Sequence, residues 1–98
     1  MAEASLRSLR VDTAIISCCG LSPTDGVTAF DDVEAATKRA AMSSARRTIL
    51  VGEAAKFSRT ALAVVCEVTD FDVLVTDPEA PADAVAQIRQ AGVDVLGV

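Results

Sequence analysis

Thr48-Ile49-Leu50-Val51-Gly52-Glu53-Ala54-Ala55-Lys56-Phe57 and, further along, Phe71-Asp72-Val73-Leu74-Val75-Thr76-Asp77 decide how this chain folds. Each is a short apolar run, rich in β-branched residues, that ends in glycine or in polar residues. Such runs, too short for helices, read as strands buried on both faces, as strands of a parallel sheet are. Working outward, Val11–Ser17 is another run of this kind, with Val11, Thr13, Ile15 and Ile16 β-branched, and Val93–Val98 is a fourth. Between them lie helical patterns. Asp31 or Asp32 can cap a helix reaching about Arg46, since a carboxylate there accepts from free first-turn N–H groups. Val33, Ala36, Ala40 and Ala41 share one small face of that helix. Pro81 suits the first position of a later helix, which runs to Ala91 and turns Val85 and Ile88 inward. Gly92 stands at its stop. Strands alternating with helices predict βαβ units. The fold class expected is α/β, a Rossmann-like, mostly parallel sheet of about four strands with flanking helices, formed by residues 1–98 as one domain.

The rest of the chain reads as connections. Residues 1–10 suggest an amphipathic turn or short helix, with Leu6 and Leu9 three apart. Cys18–Phe30 reads as a loop, since it carries Gly20, Pro23, Asp25 and Gly26. Gly52–Arg59 reads as a loop, and Thr60 as the cap of a short helix through Val65. Arg46-Arg47 reads as a solvated helix end.

Composition narrows the function. The net charge of −5 argues against a direct grip on nucleic acid, which needs clustered Lys and Arg. There are three cysteines, Cys18, Cys19 and Cys66, and no histidine. No zinc pattern results, and buried reduced thiols are expected, in keeping with a cytoplasmic protein. The longest apolar stretch, from Val11 to Leu21, is too short to span a bilayer. No cofactor or metal is expected. Without histidine no nucleophile–base pair can be assembled, so the chain is expected not to be an enzyme.

In a parallel sheet the loops after the first three strands share one edge, where open α/β sheets bind ligands. Asp25, Asp31, Asp32, Glu53, Lys56, Arg59 and Asp77 fall in those loops, a set suited to a small polar ligand. Lys56 is the leading candidate, a point charge for phosphate or carboxylate. It can equally be a solvated lysine beside Glu53. Asp25-Gly26-Val27-Thr28 is either a loop bringing backbone amides to a ligand or a plain turn. Lys38 is expected to pair with Glu34. Thr76-Asp77 can open a helix as a cap or join the rim.

The order of these pieces resembles the effector-sensing domain of the DeoR family of bacterial transcription regulators. The resemblance rests on Val11–Gly20, Gly26-Val27-Thr28, Lys38-Arg39-Ala40-Ala41-Met42, Glu53-Ala54-Ala55-Lys56-Phe57 and Thr76-Asp77, and it covers about Leu9 to Val98. It implies a fold shared with sugar-phosphate isomerases, glucosamine-phosphate deaminases and coenzyme A transferases. It implies a phosphorylated sugar or related metabolite as partner, with Lys56, Asp25, Gly26, Thr28, Gly20, Glu53 and Asp77 as the ligand-binding set. It also implies that DNA is reached only through an N-terminal helix-turn-helix outside these residues, and that this chain is the C-terminal portion of the sensor. A homo-oligomer is expected, because exposed apolar strand edges need covering. The family's Asp-Ser-Ser before the lysine is Glu53-Ala54-Ala55 here. The alternative, a fragment of an isomerase- or deaminase-like enzyme, meets Val27 where the deaminases carry their catalytic histidine.

Overall fold

A computed structural model describes residues 10–97. The seven strands are β1 (Val11–Ser17), β2 (Gly20–Ser22), β3 (Gly26–Ala29), β4 (Ala45–Val51), β5 (Ala63–Cys66), β6 (Val73–Thr76) and β7 (Asp94–Gly97). Two helices, α1 (Asp32–Ser43) and α2 (Ala82–Gln90), and two 3-10 turns, Ala54–Ser58 and Val68–Asp70, complete the described residues. The short helix read in residues 1–10 falls almost wholly outside them.

Four strands form one sheet in the order β1-β4-β6-β7, with every neighbour parallel. The α/β reading with a parallel sheet of four strands is therefore borne out. The register places Ile16, Leu50, Leu74 and Val95 side by side across the sheet. All four are buried in a core shared with Ala35 of α1 and Ile88 of α2. Asp31 caps α1, accepting from the Glu34 backbone N–H at 2.8 Å. Gly92 ends α2 at φ +102, a conformation that costs glycine nothing.

A second sheet, antiparallel and ordered β2-β3-β5, lies where the sequence suggested a loop and a helix. The reading of Cys18–Phe30 as loop is corrected. Ser22 to Gly26 is a tight turn, with the Asp25 N–H on the Ser22 hydroxyl at 2.8 Å, and Leu21 and Val27 on either side are fully buried. Turn residues dilute the apolar signal there, so each strand is too short to show a period. The helix read after Thr60 is likewise β5. Ala63 and Val65 point into the core while Val64 stays 60% exposed, a period of two rather than 3.6. Arg46-Arg47 do not end a helix. Ser44 closes α1, and both arginines lie exposed on β4. Pro81 stands one residue earlier than expected, at the N-cap of α2.

β1 also departs from expectation. Its run reads as buried on both faces, yet the described residues cover only one. Val11, Thr13, Ile15 and Ser17 all point outward, Ile15 at 69% exposure. Val51 of β4 and Leu96 of β7 continue this open band on the same side.

Candidate functional site

The carboxyl ends of β1, β4 and β6 gather a small polar cluster. β4 ends at Val51, Gly52 is buried, and the chain turns at once into the 3-10 turn Ala54–Ser58. Its position is fixed from two sides. Phe57 packs against the core. Asp77, just past β6, accepts the Ala54 N–H at 3.0 Å with Oδ2 and the Glu79 N–H at 3.0 Å with Oδ1. Asp77 is thus the clasp of the Lys56 turn, and does not cap α2. The turn lies against β2, and the Lys56 ammonium stands 4.0 Å from the Glu53 carboxylate.

A second lysine belongs to this cluster. Lys38, on α1, donates to the Ser17 carbonyl at the end of β1 and sits 3.4 Å from Glu34. The expected Glu34 pairing is present, but the sequence did not place Lys38 at the sheet edge. Only the packing of α1 beside the end of β1 does that. Cys18 lies between the two lysines in electrostatic terms. Burial pushes its thiol up to about 11, while Lys38 and then Lys56 pull the other way. Cys66 is pushed up to about 12, first by burial and then by Asp70. Both thiols stay protonated near neutral pH; Cys18 is buried as expected, whereas Cys19 and Cys66 are only half-buried. All three cysteines are free.

The other expected residues divide. Gly20 sits against the backbone of Arg59, beside the Lys56 turn. Thr28 is buried, and its hydroxyl donates to the Gly20 carbonyl at 3.2 Å and accepts from the Ala61 N–H at 2.9 Å, so it ties strands together. Asp25 and Gly26 line a different space, a cavity of about 500 Å³ walled also by Cys66, Glu67, Gln87 and Ile88. Lys56, Glu53 and Asp77 are not among its walls. Asp25 is held by Thr60, 3.3 Å between side-chain oxygens. Among the described residues no group of His, Cys, Asp and Glu could hold a metal, and no helix is long and apolar enough to cross a membrane.

Comparison with known proteins places the chain in a family. The model of the family described as "DeoR C terminal sensor domain" matches residues 1–78. The chain is 30% identical over 95 residues to a protein of Escherichia coli O157:H7 named as a transcriptional repressor of the aga operon, covering 97% of this chain and 35% of that protein. It is 32% identical over 83 residues to the uncharacterised HTH-type transcriptional regulator YgbI of Escherichia coli K12, covering 85% of this chain and 32% of that one. The chain spans about a third of the length of these curated relatives.

Proposed function

We propose, from the premise that this chain belongs to the family of DeoR-type C-terminal sensor domains, that its effector is a phosphorylated sugar or related metabolite anchored by Lys56. The observation that carries this reading is the placement of Lys56. It stands directly after β4 at the carboxyl edge of a parallel sheet, on a turn clasped by Asp77. That edge is where open α/β sheets take ligands, and a lysine offers a phosphoryl group a compact charge. Glu53, Asp77 and the backbone around Gly20 supply acceptors for hydroxyls. The Asp25-Gly26 turn opens on its own cavity and has a secondary place in this reading. In a complete regulator, binding would shift the balance between quaternary states read by a DNA-binding segment. No step of this needs turnover.

Calorimetric titration with glucose 6-phosphate and inorganic phosphate tests the anchor. Lys56→Ala is expected to weaken both about tenfold, the size of one charge-assisted hydrogen bond. Equal affinity in wild type and variant would remove Lys56 from the site.

The open band of Val11, Ile15, Val51 and Leu96 supports a homo-oligomer. Parallel sheets are almost always covered on both faces, and contiguous apolar surface of this kind marks an interaction face. Sedimentation velocity is expected to show a dimer or larger species that Ile15→Lys shifts toward monomer. A wild-type chain that stays monomeric at high concentration defeats the idea.

A further inference from the structure

Asp77 also borders a hollow of about 290 Å³, walled by the end of β6, by β7 and by one side of α2 from Ala82 to Arg89. Its polar walls are Thr76, Asp77 and Arg89, and its apolar walls include Val85 and Val95. Thr76 is the informative residue. It is 5% exposed, and its hydroxyl is the buried side-chain polar atom among the described residues that has no hydrogen-bond partner. Strand alternation places it on the face of Leu74, the face that packs toward Ile88 of α2, so the hydroxyl is turned to the α2 side, where the hollow lies. A buried hydroxyl without a partner costs free energy that valine, of nearly the same shape, would not. Natural structures satisfy nearly all such groups, with protein, water, an ion or a bound ligand as the partner. Arg89 reaches across from α2, and its Nη2 donates to the Val95 carbonyl at 3.2 Å. The guanidinium's remaining donors are left for another acceptor. Asp77 uses one lone pair on each oxygen for a backbone N–H, and a carboxylate oxygen can accept again.

We infer that this hollow is a subsite for the hydroxyl-bearing carbon skeleton of the effector: Arg89 donates to its oxygens, Asp77 accepts from its hydroxyls, and Thr76 gains the partner it lacks. The Val85 and Val95 walls suit the C–H faces of such a skeleton. Asp77 is the shared wall, clasping the Lys56 turn and bounding the hollow. The volume fits part of a small ligand, since whole pockets run from about 300 Å³ upward. The inference rests on the effector reading above, with the anionic end at Lys56.

The test is a titration of the full 98-residue chain and its variants with inorganic phosphate, ribose 5-phosphate and glucose 6-phosphate. A sugar phosphate is expected to bind at least about tenfold tighter than inorganic phosphate. Thr76→Val and Arg89→Gln are each expected to weaken the sugar phosphate about five- to tenfold, the loss of one or two hydrogen bonds, and to leave inorganic phosphate within about twofold. Thr76→Val is also expected to raise the melting temperature, which separates a lost contact from a damaged fold. The subsite is overturned if both variants keep wild-type affinity for the sugar phosphates, if they weaken inorganic phosphate equally, or if no sugar phosphate binds better than inorganic phosphate. If Lys56→Ala changes nothing while Thr76→Val and Arg89→Gln act as stated, the anchor is misplaced and the subsite stands.

Discussion

Leu50→Ala is expected to destabilise the domain by about 2–5 kcal/mol, the range for removing a large aliphatic side chain from a well-packed core. Leu50 is fully buried on the central strand β4, with Ile16 of β1 on one side and Leu74 of β6 on the other. Neither neighbour can collapse into the space without breaking the row that Val95 completes. For a chain of this size the whole stability is on the order of 5–15 kcal/mol, so this one truncation removes a large share. Urea unfolding should show a lower midpoint with an unchanged slope. A loss below about 1 kcal/mol would show that the row is not the centre of the core.

Gly20→Ala is expected to cost about 3 kcal/mol or more and to loosen the Lys56 turn as well. A Cβ at Gly20 would stand 2.1 Å from the Arg59 carbonyl oxygen and 2.7 Å from its carbon. Both are backbone atoms, so no side-chain rotation relieves the clash. The same Cβ would lie 2.9 Å from the Thr28 hydroxyl, which joins Gly20 to Ala61. Overpacking a tight core costs about 1–3 kcal/mol when neighbours can yield, and here the crossing segment must move. Amide exchange at Ala61 and Lys56 should quicken before global unfolding. The control is Gly97→Ala, where a Cβ meets nothing within 4 Å and stability should barely change. Equal behaviour of the two variants would refute the packing argument.

The parallel sheet was legible in the sequence because its strands are local and self-announcing. Thr48–Val51 and Phe71–Val75 are apolar runs closed by Gly52 and by Thr76-Asp77, and their shortness and β-branched content favour strand over helix. The second sheet was not legible. β2 and β3 are short strands that become strands only through each other and through β5, and their turn residues look like loop when read alone. The same distinction divides the site. Lys56 could be placed at the sheet edge from its position after a strand. Lys38 shows only its helical pairing with Glu34, since a sequence cannot say that α1 lies beside the end of β1.

By itself, then, the sequence determined the α/β class, the strand-ending position of Lys56 and the kinship with DeoR-type sensors. These depend on residue type and spacing along the chain. Only the tertiary structure decided that the described residues leave one face of the sheet open, that Asp25 lines a cavity to which Lys56 does not contribute, and that Asp77 clasps the Lys56 turn. It alone left the Thr76 hydroxyl buried beside Arg89 without a partner. Each of these is a relation between residues far apart in sequence, fixed by the burial of the Ile16–Leu50–Leu74–Val95 row and by what must then pack around it.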